Sequence, residues 1–254
     1  MKGVILAGGN GTRLMPLTQV TNKSLLPVYD RPMIYYPLQL MAEAGIDEVM
    51  IVTGGKTCGD MMRVLNDGSQ FGLKNLYFTV QEKAGGISQA LSLAESFAGG
   101  EEIFVMLGDN LIFGHNVADT VRSFAAQPLG AKVFLQPVAD PERFGIAELG
   151  QDRILSIEEK PKQPKSNLAV TGLYLYDHSV FDKIRTLKPS ARGELEVTDL
   201  NKTYLEAGQL GYEMLGGDWI DAGTFDSMLE ASLMAQRYAE RRQSFQQVSL
   251  AVAA

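Results

Sequence analysis

Two short runs, Gly3–Gly9 (GVILAGG) and Ile103–Gly108 (IFVMLG), constrain the fold of this chain more than any other feature. Each is apolar at consecutive positions rather than alternate ones. A strand needs apolar side chains on both sides only when both faces of its sheet are covered, and this is the condition of parallel strands flanked by helices. Each run also stops at glycine, where a strand hands over to a loop. Between and around them, apolar runs at Val49–Val52 and Leu76–Val80 alternate with helical spacing at Ile34–Ala44, Met61–Leu65 and Ile87–Phe97. The rhythm predicts βαβ units, hence an α/β fold with a mainly parallel, Rossmann-like central sheet flanked by helices.

From about Lys132 the texture changes. Strand patterns at Val133–Val138, Gly145–Leu149, Ile154–Glu158 and Val170–Tyr176 follow one another across Pro- and Gly-bearing turns, which predicts a smaller, mixed sheet extension. Helical patterns return at Val197–Ala207 and Phe225–Arg242, the latter opening with Asp226 and closing with Arg241 and Arg242 as the helix dipole favours. With no linker or repeat in its 254 residues, the chain reads as a single domain over 1–242. Its mainly parallel part is expected over about 1–130, its sheet extension over about 131–224, its closing helix over 225–242 and a loosely held tail over 243–254.

Charge and cysteine content narrow the partners. A net charge of -7 disfavours a general binder of nucleic acid or anionic membrane, whose surfaces reward basic proteins. Any anion bound here must meet a local cluster of cations. No apolar stretch approaches the length of a bilayer span, the start lacks the apolar core of a secretory signal, and the one cysteine, Cys58, has no intrachain partner. A soluble, cytoplasmic protein is expected. His115 and His178 lack metal-site spacing and read as a loop and a surface residue.

The glycines behind the first strand suit phosphate binding, because backbone N–H groups approach an anion closely where no Cβ intervenes. The dinucleotide fingerprint fails, since its third glycine would fall on Leu14, and a Walker A loop ending at Gly55-Lys56-Thr57 fails because Met50 stands where it needs glycine. The loop instead continues through Gly8, Gly9, Gly11, Thr12, Arg13, Pro16, Thr18 and Lys23 into Leu25–Leu38 (LLPVYDRPMIYYPL). In this order the residues resemble the signature of the sugar-1-phosphate nucleotidylyltransferases, in particular their thymidylyltransferase branch. Further blocks agree in sequence: DGSQFGL (67–73), LGDN (107–110), DPERFG (140–145), EEKPKQPKSN (158–167), AVTGLYLYD (169–177), KPSARGELEVTDLN (188–201) and WIDAGT (219–224).

The resemblance implies an Mg²⁺-dependent enzyme joining dTTP, or UTP, to glucose 1-phosphate with release of pyrophosphate, at the head of deoxysugar-nucleotide synthesis. It implies a nucleotide-binding part over about 1–130, a sugar-binding part over about 131–224, and metal ligation by Asp109 and Asp221. Catalytic charge would come from Arg13 over the leaving pyrophosphate and from Lys23 and Lys160 at the reacting phosphates. Leu6, Gly8, Gly9, Gly11, Thr12, Arg13, Gln81, Gly86 and Asp109 would hold the nucleotide, with Gln81 reading the imide edge of the base. Lys23, Gly145, Glu159, Lys160 and Val170 would hold the sugar phosphate, and Trp219 would border it or pack in the core. A homotetramer or homodimer is implied as well. The chain departs from the family pattern at Ser24, where glutamine is usual, at Val52–Asp60 (VTGGKTCGD), where a proline-bearing loop is common, and at VQEKAGG (80–86), leaving the choice of base and sugar open. Other readings of the residues are a different hexose 1-phosphate, or a non-catalytic nucleotide-sugar sensor. The second requires only the shape, yet Arg13, Lys23, Asp109, Lys160 and Asp221 are all present.

Overall fold

A computed structural model describes residues 1–114 and 117–252, with side chains described up to Arg241; His115 lies outside them. In chain order the elements are strand β1 (Lys2–Ala7), the hairpin β2 (Pro27–Val28) and β3 (Arg31–Pro32), helix α1 (Tyr35–Glu43), β4 (Glu48–Gly54), α2 (Cys58–Leu65), β5 (Asn75–Gln81), α3 (Ile87–Ser92) and α4 (Glu95–Ala98). Then come β6 (Ile103–Leu107), β7 (Asn110–Phe113), α5 (Val117–Ala126), β8 (Ala131–Pro137), β9 (Gly145–Leu149), β10 (Ile154–Glu159), β11 (Leu168–Tyr176), α6 (Val180–Thr186), α7 (Val197–Glu206), β12 (Leu210–Met214), β13 (Asp218–Asp221) and α8 (Phe225–Val252).

Among the described residues nine strands form one sheet. Its parallel part runs β5-β4-β1-β6, with Leu6 registered against Val52 on one side and Leu107 on the other. Antiparallel β11 continues it from β6, pairing β8 along one edge while the beginning of its other edge takes up β9 and then β10. This is the mixed sheet with an extension that the texture change predicts. Because β1 lies between β4 and β6, the chain leaves it first to one side and later returns to the other. The carboxyl ends of β1 and β6 therefore diverge into a crevice, the place where open α/β sheets receive ligands.

Consecutive residues of β1 show why its run is apolar throughout. Val4 and Leu6 pack on one face with α3, α6 and α7 residues such as Leu91, Phe181 and Leu200, while Ile5 and Ala7 pack on the other with Leu38, Met61 and Val121 of α1, α2 and α5. Each such large apolar side chain contributes about 1.5–3 kcal/mol when withdrawn from water. A third cluster seats α8, through Ala231 and Ala235, on Val28, Met33, Leu111 and Ile220.

Two expectations are corrected. The helix expected over Ile87–Phe97 is broken into α3 and α4, with Leu93 and Ala94 between them folding back by hydrogen bonds to Ala90 and Leu91. Helix α8 does not stop at Arg242 but runs on to Val252, through the segment expected as a loose tail.

Candidate active site

The loop after β1 is shaped by close approaches. Gly11 has φ of +60°, and a Cβ there would stand 2.7 Å from Thr18 Cγ2 and 3.3 Å from Lys23 Cβ. Only glycine fits that turn, and fitting it brings the Arg13 and Lys23 segments together. Gly8 passes so near Gln81 that a Cβ would lie 2.5 Å from its Oε1. Gln81 ends β5, registered against Gly54. It is buried, and its Nε2 donates to Gln89 Oε1 at 2.6 Å and to the Gly86 carbonyl at 3.4 Å. A cavity of about 200 Å³ opens here, bordered by Gly8, Gly9, Lys23, Lys56 and Gln81.

A second cavity, of about 210 Å³, lies on the sheet extension and is bordered by Gly145, Glu159, Lys160, Val170, Trp219 and Asp221. Thr198 donates to Glu159 Oε2 at 2.6 Å, and Arg192 Nη2 lies 3.4 Å from Glu159 Oε1. Lys160 takes the left-handed conformation (φ +46°), its N–H donating to the Phe144 carbonyl, and its Nζ is 3.7 Å from Glu159. Trp219 satisfies both readings, bordering the cavity while its ring packs edge-on against Phe144 and its Nε1 donates to Asn110 at 2.7 Å.

Between the cavities stand the two aspartates. Asp109 follows β6 after Gly108, and Asp221 ends β13, which pairs with β7 so that Asp221 registers with Asn110. The Ala222 N–H donates to the Asp109 carbonyl at 2.9 Å, closing the same junction. Residues more than a hundred positions apart in the chain thus share one corner, where each carboxyl perturbs the protonation of the other. Lys23 donates to Asp109 Oδ2. Arg13 Nη2 is 3.9 Å from Asp221 Oδ2.

The electrostatics of the pair are uneven. Burial raises the Asp109 pKa, but Lys23, by charge and hydrogen bond, outweighs it and holds the carboxyl below its ordinary range. Asp221 is pushed up to about 7 by burial and then by the Asp109 carboxylate beside it. Its Oδ1 is buried with no hydrogen-bond partner. Two adjoining carboxyls of which only one ionises readily, with one oxygen orphaned, suit a small divalent cation that takes one or two protein carboxylates and completes its shell with water and phosphate oxygens. No larger cluster of His, Cys, Asp and Glu able to hold a metal occurs among the described residues.

The expected residues thus gather on two cavities and the junction between them, with some differences of role. Leu6 gives its side chain to the core and its carbonyl to the Gly108 N–H, and Thr12 starts the short turn carrying Arg13. His178 is exposed, as expected. Ser24 is buried with its Oγ turned toward Gly108, where a Cβ would come within 2.8 Å, so it packs beneath the junction. Sequence reasoning missed Asn110, whose Oδ1 accepts from Gly172 N–H and Trp219 and whose Nδ2 donates to Asp109 Oδ1. It also missed Gln89, Thr198 and Arg192. Asn110 was within reach of the sequence, as the last letter of the LGDN block.

Gly223 shows how tightly the corner is built. A Cβ there would lie 2.5 Å from Arg13 Nη2 and 2.8 Å from Asp221 Oδ1. Gly223→Ala is therefore expected to push the guanidinium out of the crevice and lower turnover about tenfold or more while the melting temperature moves little, as steady-state kinetics with thermal unfolding will register. Wild-type kcat in that variant would free Arg13 from any role at the junction.

The chain is similar to known proteins along most of its length. The nucleotidyl transferase family model matches residues 2–237. A glucose-1-phosphate thymidylyltransferase of Neisseria meningitidis serogroup A is 47% identical over 239 residues, covering 93% of this chain and 83% of its own. One from Mycobacterium tuberculosis H37Rv is 44% identical over 246 residues, covering 96% and 84%. A Bacillus anthracis crystal structure, described as a candidate glucose-1-phosphate thymidylyltransferase in complex with sucrose, superposes with a TM-score of 0.88 at 51% identity, covering 92% of this chain and 95% of that one. With that model matching nearly the whole chain, and relatives 44–47% identical to it over more than nine-tenths of its length, the chain belongs to the nucleotidyl transferase family.

Proposed function

We propose that this protein transfers the thymidylyl group of dTTP to glucose 1-phosphate, yielding dTDP-glucose and pyrophosphate. The observation that carries the reading is the meeting of two cavities at one corner holding Lys23, Asp109, Asp221 and Arg13. The relatives named glucose-1-phosphate thymidylyltransferase supply the substrates. An oxygen of the sugar phosphate attacks the α-phosphorus, and the bond from that phosphorus to the bridging oxygen of pyrophosphate breaks. The second pKa of a phosphate monoester is about 6, so the nucleophile is ionised at neutral pH and no general base is required. What the protein supplies is alignment and charge.

Asp109 and Asp221 would hold Mg²⁺, which when bound would supply charge neutralisation at the phosphates. Lys23 and Lys160 would serve as point charges for the α-phosphate and the sugar phosphate, and Arg13 would offer its planar fork to the leaving pyrophosphate. Gln81 presents its amide to the pyrimidine, while Glu159, steadied by Thr198 and Arg192, accepts from sugar hydroxyls. A cytoplasmic, homo-oligomeric enzyme is part of the same reading; no helix among the described residues is long and apolar enough to cross a membrane.

The test is a pyrophosphate-release assay pairing dTTP, UTP, ATP, CTP and GTP with several sugar 1-phosphates. Maximal release with dTTP and glucose 1-phosphate is expected, and silence across the matrix would remove the catalytic reading. UTP is expected as the second substrate, since thymine and uracil share an imide edge and one methyl is worth only about 1–3 kcal/mol. Gln89→Leu releases the Gln81 amide from its 2.6 Å tether. It should raise KM for dTTP about five- to tenfold with a smaller change in kcat, as the loss of one positioning hydrogen bond implies; an unchanged KM would move base reading elsewhere.

A further inference from the structure

Asn22 stands next to Lys23 in the chain and is only 5% exposed. A primary amide carries one acceptor oxygen and two N–H donors, and a buried one must find partners for them or forfeit the hydrogen bonds that water would make. Asn22 finds them on three separate stretches of chain. Its Oδ1 accepts from the Ser24 N–H at 2.8 Å, capping the short turn Lys23–Leu25. Its Nδ2 donates to the Ala7 carbonyl at 2.8 Å and to Thr57 Oγ1 at 3.1 Å.

Both donor contacts lead to Gln81. Ala7 ends β1, and the next residue, Gly8, is the one that passes against the Gln81 side chain. Thr57 relays its bond, Oγ1 donating to the Gly54 carbonyl at 3.3 Å, and Gly54 is registered against Gln81. The acceptor contact leads the other way, to the turn whose Lys23 reaches Asp109. Gly8, Lys23, Thr57 and Gln81 all border one cavity. A single side chain therefore spans the gap between the residue that would read the base and the residue that would meet the α-phosphate. In a nucleotide the ribose limits that gap, and a site that misses it by about 1 Å loses alignment of the reacting phosphorus. Thr57 lies in Val52–Asp60, where the chain departs from the family pattern, so this arm is no part of the family signature.

We propose that Asn22 is a positioning residue, setting the spacing between Gln81 and Lys23 so that gripping the base brings the α-phosphate into line for attack. The proposal deepens the thymidylyl-transfer reading and rests on it.

The experiment measures pyrophosphate release at saturating dTTP and glucose 1-phosphate, and dTTP binding by calorimetry without the sugar phosphate, for wild type, Asn22→Ser and Thr57→Val. Serine keeps a capping oxygen for the turn but reaches neither Ala7 nor Thr57. Valine keeps the shape of Thr57 without its hydroxyl. Asn22→Ser should lower kcat about tenfold and Thr57→Val about threefold, while the dissociation constant for dTTP stays within about twofold of wild type. Mere loosening of the cavity would weaken binding as well. Both substitutions are repeated in Lys23→Gln, where no ammonium is left to position, and each should there cost less than about twofold. An undiminished cost in that background, an unchanged kcat in both single variants, or a loss confined to binding would overturn the assignment of Asn22 alone. A wild type that releases no pyrophosphate from any substrate pair would overturn the functional reading and Asn22 with it. Circular dichroism reports the fold of each variant, and Thr57→Val carries the test if Asn22→Ser does not fold.

Discussion

Asp109→Asn is expected to cut pyrophosphate release by about a hundredfold or more, the scale on which removing one group that stabilises transition-state charge acts. The same substitution leaves Lys23, whose side chain is only 17% exposed, without its counter-charge. Stability should therefore fall along with activity, because a buried charge stripped of its partner carries an unrepaid desolvation cost. Both are read in one preparation, by steady-state kinetics and by thermal unfolding in the presence of a chelator. Turnover near the wild-type rate would remove Asp109 from the reaction.

Asp221→Asn is expected to be as damaging to catalysis and opposite in stability. The carboxyl of Asp221 is raised to about 7 from an ordinary 3.8 by burial and by the Asp109 carboxylate, so in the metal-free fold its ionised form is the costly one. The sign follows from linkage. Between about pH 4 and pH 7 the folded protein retains a proton that the unfolded chain has released, so this group's contribution is fully present below that window and lost as pH rises through it. Asparagine cannot ionise and keeps an amide to donate to Asp109. The variant, stripped of metal, should thus melt several degrees above wild type at pH 8 and close to it near pH 4. A lower melting temperature at pH 8 would mean that Asp221 holds the corner together rather than straining it. Sites that trade stability for chemistry characteristically behave in the expected way.

The parallel half of the fold was legible because its strands are buried on both faces and say so in continuous apolar letters, as Val4 to Leu6 and Ile103 to Leu107 do. Helix α6 and strands β7 and β12 were not. Strand β12 carries Gly211 and Glu213 and is only half-buried, while β7 begins three residues after β6 ends, too soon for periodicity to separate them. The break between α3 and α4 is likewise invisible in a stretch of good helix formers. For the site, the glycine loop and its cations were readable as a spaced motif. The pairing of Asp109 with Asp221 came only from family resemblance, since nothing local in either segment announces a partner across the chain. Asn110, Gln89 and Thr198 act through side-chain contacts made after folding, which one sequence does not display.

The β7–β13 ladder has an evolutionary consequence. Most of the polar wall of the second cavity comes from a cassette between Gly114 and Gly217, which joins the main sheet through β11 and is closed at its neck by four registered residue pairs. Loops inside that cassette are free to lengthen, shorten or exchange residues while the neck keeps the two carboxylates in step. Acceptor preference is then able to drift across descendants without disturbing the reaction centre, whereas a single-residue insertion within the neck would turn Asp221 to the opposite side of its strand and silence the enzyme at a stroke.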